Sequence, residues 1–141
     1  MANEVTVTIA DVRPLTGAVI RRAQAGEALA FGDVVYISSA TGDIPIVSKC
    51  VPGTLATGHA YGIVVSGNLG NTSVASGEAC DVVVLGPVTG YSGMTPGATI
   101  WASSDSSGRL STAVGAKSCI LGVAESATTV LVRPAQVVRA T

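Results

Sequence analysis

The chain is 141 residues long, about the size of one domain and enough to bury a core without help from disulfides or metals. Hydrophobic residues make up 48% of it, charged residues 12% and aromatics 4%, and the mean hydropathy is +0.54. A net charge of -1 argues against nucleic acid as a partner, because phosphate binding needs clustered Lys and Arg and the one adjacent basic pair is Arg21-Arg22.

The N-terminal stretch "MANEVTVTIADVRP" has neither a basic n-region nor an apolar h-region, so it does not read as a signal peptide, and use without Sec export is expected. Within it "EVTVTI" alternates, with Val5, Val7 and Ile9 on one face and Glu4, Thr6 and Thr8 on the other, until Pro14 interrupts. Residues 1–22 are expected to form an N-terminal arm and residues 23–141 a single β domain. The arm would dock on a neighbouring molecule through Val5, Val7 and Ile9, with Arg13, Arg21 and Arg22 offering ion pairs at its base. An ordinary first strand tied into its own sheet is the competing reading. "GAVIRRAQAG", Gly17 to Gly26, is the one helix candidate, at most two turns long, with a bent connection as the alternative.

Strand signals dominate from there on. "DVVYI" (Asp33 to Ile37), "DVVVL" (Asp81 to Leu85) and "TTVLVRP" (Thr128 to Pro134) are short β-branched runs. Between them "SSATGD", "SGNLGN", "ASGE", "TPGA" and "SSDSSGR" supply the Gly, Asn, Asp and Pro that tight turns require. The pattern predicts an all-β fold, a small β-barrel or a β-tulip or clip-like domain. The longest apolar runs, "DVVVLGPV" and "SCILGVA", fall far short of the roughly 18 residues of a spanning helix, so no membrane is expected. So apolar a chain with so few charges is expected to bury part of its surface against an assembly partner.

Two halves echo each other. "FGDVVYISSATGDIPIV" (Phe31 to Val47) aligns with "PGATIWASSDSSGRLSTA" (Pro96 to Ala113), placing Gly32 on Gly97, Tyr36 on Trp101 and, after one inserted residue, Gly42 on Gly108. "AYGIVVS" then matches "ILGVAES" more weakly. Each half reads as a glycine turn, a strand bearing one aromatic, a hairpin and a returning strand, and Tyr36 and Trp101 are expected at paired core positions.

Candidate chemistry is sparse. His59 is the sole histidine and reads as a turn residue, and the acids stand singly beside glycines. "GNLGNTSVASG" has no Lys and no following helix, so it fails as a phosphate loop. Cys50, Cys80 and Cys119 lack any CxxC spacing and read as small buried hydrophobes in a reducing cytosol rather than as metal ligands. No catalytic residue, cofactor or metal is expected.

The runs "AGEALAFGDVVYIS", "ASGEACDVVVLGPVTGYSGMTPGATIWASSDSSGRLST" and "ILGVAESATTVLVRP" resemble small bacteriophage structural proteins. These are capsid decoration, or head cement, proteins and, with the same "G-[LM]-T-P-G" turn, parts of tail and head fibres. The likeness covers most of Gly26 to Pro134. It implies a protein made in the host cytoplasm that binds the outside of an assembled head, as a trimer at three-fold and local three-fold positions, and bridges units of the major capsid protein. Two other readings compete: a tail or head fibre module that touches a host surface glycan, and a small enzyme domain whose site forms only between subunits. The first lacks a set of exposed aromatics for stacking on sugar rings, and the second lacks clustered acids, His and Lys.

Overall fold

A computed structural model describes residues 4–50, 60–67, 72–103, 107–113, 117–134 and 138–140. Over those residues the chain is all-β, apart from one turn of 3₁₀ helix at Ile9–Asp11. The first part supplies β1 (Thr6–Val7), β2 (Arg13–Pro14), β3 (Val19–Ala25), β4 (Leu29–Ala30), β5 (Val34–Thr41) and β6 (Ile44–Lys49). Next come β7 (Gly62–Gly67), β8 (Ser73–Val74), β9 (Ala79–Thr89) and β10 (Tyr91–Ser92). The last part holds β11 (Thr99–Ala102), β12 (Leu110–Ser111), β13 (Lys117–Ala124), β14 (Thr129–Val132) and β15 (Val138–Ala140).

Five strands close a barrel in the order β9, β3, β6, β5, β7 and back to β9. Every neighbour in it is antiparallel except β3 and β6, which run parallel and meet at two residue pairs, Gln24 with Ile46 and Ala25 with Val47. One register shift interrupts each of the β3–β9, β5–β6 and β7–β9 ladders, and bulges of this kind supply the bending that so small a barrel needs. Past the barrel, β9 continues through Gly86 to Thr89 and pairs with β14 on one edge and β2 on the other. From β14 the sheet extends through β13 and β11 to β12.

Valine fills the interior: Val34, Val35, Val47, Val64, Val82 and Val83 have no exposed surface. Its stiff, β-branched side chain fits a pleated wall at little rotamer cost. Two strand glycines set how closely neighbouring strands approach. A Cβ on Gly62 would land on the Val83 carbonyl oxygen of β9, and one on Gly122 would land on the Leu131 carbonyl oxygen of β14.

These two glycines occupy matching places in the two stretches that echo in sequence, and the main-chain bonds around them match as well. Val35 faces Gly62 and Ile100 faces Gly122. Gly32 N–H donates to Val64 O at 2.8 Å, and Gly97 N–H to Ala124 O at 2.7 Å. Val64 N–H donates to Asp33 O at 3.1 Å, and Ala124 N–H to Ala98 O at 2.9 Å. Both turns close from fourth residue to first, Asp33 to Ala30 and Ala98 to Thr95, with the glycine at φ +96° or +87° in third place, as a type II turn demands.

Several expectations are corrected. "GAVIRRAQAG" is neither helix nor bent connection but strand β3, because an isolated two-turn helix is unstable while β9 offers an edge along which Val19 to Gln24 pair. Tyr36 and Trp101 are only half-buried, whereas Phe31 and, more deeply, Tyr91 are buried, and the Tyr91 hydroxyl donates to Gly32 O at 2.8 Å. Strand β3 runs from Val19 to Ala25 across the position after Arg22 where the arm is expected to end. Residues 4–22 are woven into their own chain: Val5 N–H donates to Leu110 O, Ser103 Oγ donates to the Glu4 carboxylate, β1 pairs with β10, and Val5 and Val12 are buried in the core. Apolar side chains with a core within reach gain more there than on the surface. His59, Asn71 and the tip of "SSDSSGR" lie outside the described residues.

Alanine at either close-approach glycine must push a strand away from its neighbour. Gly62→Ala and Gly122→Ala are each expected to lower unfolding stability by about 1–3 kcal/mol. Urea unfolding followed by circular dichroism measures this, and unchanged midpoints for both variants would contradict the close approach.

Candidate functional site

Beyond Gln24 and Ile46 no strand pairing joins β3 to β6 among the described residues. Because the two strands are parallel, continuing their register brings Ile44 level with Arg22. The β3–β9 ribbon and the β5–β6 hairpin therefore leave the barrel at the same end, with their facing edges unjoined. In the hairpin Thr41 pairs with Ile44 across a two-residue connection, and all of residues 37–44 are exposed.

Apolar side chains concentrate on these two lips. Ile37 and Ile44 stand on the hairpin, while Val19 and Leu85 face each other across the β3–β9 ladder with Ile20 beside them. Leu15 lies just before them, its N–H donating to Pro87 O at 3.0 Å. These six are the large hydrophobic residues left exposed among the described residues, each between 37% and 51%. An open β edge bordered by apolar side chains is a template for pairing with another chain.

The six residues expected at an interface separate into two groups. Val5 is buried, and Val7 and Ile9 are half-buried against the same core, so that apolar face is turned inward. Arg13, Arg21 and Arg22 are exposed, and Arg22 pairs with Asp81 at 3.3 Å. Arg21 and Arg22 thus stand on the β3 lip, beside apolar residues that sequence reasoning passed over. "VIRR" carried the signal: two β-branched residues followed by two arginines make a strand with an exposed charged edge, once β9 is recognised as its partner.

No side-chain cluster suited to a metal ion occurs among the described residues, and no helix of the structure is long and apolar enough to cross a membrane. The three cysteines are buried thiols. Burial pushes the Cys50 thiol up to about 12 and that of Cys80 to about 11, so little reactive thiolate forms at neutral pH.

One buried acid stands out. Asp33 is 7% exposed, and its carboxylate accepts the Ala30 N–H at 2.9 Å inside the first glycine turn. Burial raises its pKa above the usual 3.8, an effect that the Ala30 bond and the charges of Lys49 and Arg109 oppose and Glu27 reinforces. Desolvation, with the Asp33 charge close by, also pushes the Tyr91 hydroxyl far above its ordinary range.

No family model matches this chain, and no curated protein shows detectable similarity to it.

The Asp33 shift has a definite sign. Its folded-state pKa lies above the unfolded value of 3.8, so its stabilising contribution is full below 3.8 and is lost as pH rises through the folded value. Asp33→Asn keeps a carbonyl acceptor for Ala30 and has no proton to lose. Relative to the parent, this variant is expected to gain stability as pH is raised from about 3 to about 7, read from urea midpoints. A difference that stays constant with pH would contradict the assignment.

Proposed function

We propose that this protein is a bacteriophage virion component that decorates the outer surface of the assembled head, binding the major capsid protein and its own copies as a trimer. The observation that carries the reading is the pair of exposed apolar lips, Val19, Ile20 and Leu85 on one and Ile37 and Ile44 on the other, on a domain with few charges. The resemblance of the three sequence runs to head cement proteins supplies the kind of partner. A decoration protein needs a stable body that presents several contact surfaces, and a barrel with a projecting hairpin beside an exposed strand is suited to bridge neighbours on a shell. The lips offer apolar area and main-chain edges that pair with no strand among the described residues, and Arg21 offers a charge for steering and register.

The test mixes purified protein with undecorated heads and, separately, with host cells, and follows sedimentation. The parent protein is expected to sediment with heads, and in their absence to run near three times its 13.9 kDa chain mass by light scattering. Ile37→Asp with Ile44→Asp, and separately Val19→Asp with Leu85→Asp, should melt like the parent but bind heads at least about tenfold more weakly. Sedimentation with cells and not with heads would replace this reading with the fibre module, and head binding undiminished in both variants would remove the lips from it.

A further inference from the structure

A polar hollow of about 330 Å³ lies where the 3₁₀ turn, β2, the end of β9 and the turn at Thr128 come together. Thr8, Thr89, Thr128, Asp11, Arg13, Gly90 and Tyr91 line it, so three threonines, one acid and one arginine border the same space. None of the six exposed apolar residues lines it. Neither Asp11 nor Arg13 makes a side-chain hydrogen bond or ion pair among the described residues, although both border the same space.

The main chain around the hollow is fixed before any ligand arrives. Thr8 N–H donates to Gly90 O at 2.8 Å and Tyr91 N–H to Thr128 O at 3.2 Å. Thr89 Oγ1 donates to the same Thr128 carbonyl at 3.3 Å, which leaves its oxygen lone pairs available as acceptors. Arg13 is held opposite Thr89 by the β2–β9 pairing, and Tyr91 is anchored from below through Gly32 O. The main chain of the hollow therefore does not have to be ordered on binding, and the cost that remains is that of fixing the exposed Asp11 and Arg13 side chains.

The donor and acceptor set selects the ligand. A simple anion that pairs with Arg13 meets the Asp11 carboxylate, a simple cation that pairs with Asp11 meets the Arg13 guanidinium, and an apolar group would desolvate both without return. A ring carrying adjacent hydroxyls satisfies both, because each hydroxyl donates and accepts, the carboxylate can take two of them, and the guanidinium fork can give to two. The volume lies at the lower end of small-molecule pockets, which begin at about 300 Å³. We propose that this hollow binds one neutral hexose ring, independently of the head-binding lips. Tyr91 is only 4% exposed and gives no stacking platform, so affinity comes from hydrogen bonds and falls in about the millimolar range.

Saturation-transfer NMR on the full chain tests this, with D-glucose, D-galactose, D-mannose, D-galacturonate and inorganic phosphate as separate probes. At least one of the three neutral hexoses is expected to receive transfer from the parent protein. That signal should fall at least tenfold in affinity in both Asp11→Asn and Arg13→Gln, with melting curves unchanged, and should persist in Ile37→Asp with Ile44→Asp. Transfer to none of the neutral hexoses, binding of galacturonate or phosphate alone, or hexose binding undiminished in both hollow variants would each overturn the proposal. Should either hollow variant melt early, Thr128→Val takes its place, and undiminished hexose binding in it counts against the site in the same way.

Discussion

The main chain of β9 is hydrogen-bonded along both edges for most of its eleven residues, and the rest of the architecture hangs from that ladder. At Val82 and Val83 its neighbours are β3 and β7, which make it a barrel stave; at Val88 they are β14 and β2, which make it the central strand of the extension. Buried main-chain donors and acceptors need partners, so a strand buried on both sides fixes the register of everything beside it. Gly62 on β7 enforces the same constraint from the other direction, because only the absence of a Cβ lets β7 come close enough to the Val83 carbonyl. A second tie crosses from the extension to the barrel at Gly108, whose carbonyl accepts Val34 N–H at 2.9 Å and whose N–H donates to Cys50 O at 3.1 Å.

With its valines locked into one narrow core, the molecule has little freedom to rearrange, and what remains available for recognition is what the barrel cannot cover. The parallel contact of β3 with β6 is one of two thin joints in the barrel, with two residue pairs like the β5–β7 joint and fewer than the β3–β9 and β5–β6 ladders. The strands diverge beyond it because parallel pairing needs both to keep a common direction, while β3 follows β9 and β6 follows its hairpin partner β5. Val19 and Ile44 lie beyond the last joined pair, and they are exposed together with Leu85 and Ile37. On a chain with 12% charged residues such an edge invites association, and Arg21 and Arg22 are the charged residues that stand on it.

Local signals were legible in the sequence wherever chemistry is local. The turns at Gly32 and Gly97 followed from glycine and proline placement, the strands at "DVVYI", "DVVVL" and "TTVLV" from β-branched runs, and the shared face of Val5, Val7 and Ile9 from alternation, though alternation did not say that this face packs on the chain's own core rather than on a neighbour. What stayed hidden depends on partners distant in the chain. "VIRRAQA" is a strand only because β9 lies beside it, so its own glycine-bounded composition read as a helix or a bend. The half-burial of Tyr36 and Trp101, against full burial of Tyr91, is decided by which face of each strand meets the core, and that follows from register rather than residue type. The hollow at Asp11 and Arg13 was equally out of reach, because it brings residues near 10 together with residues near 90 and 128.

Native-state hydrogen exchange tests most directly whether barrel and extension are one cooperative body built on β9. The amides of Val83 in the barrel and of Val88 and Val130 in the extension are then expected to exchange only through a common global opening, with equal free energies and equal denaturant dependence. If Val88 and Val130 instead exchange through an opening of lower free energy while Val83 stays protected, the extension folds as a separate unit and β9 does not unite the structure.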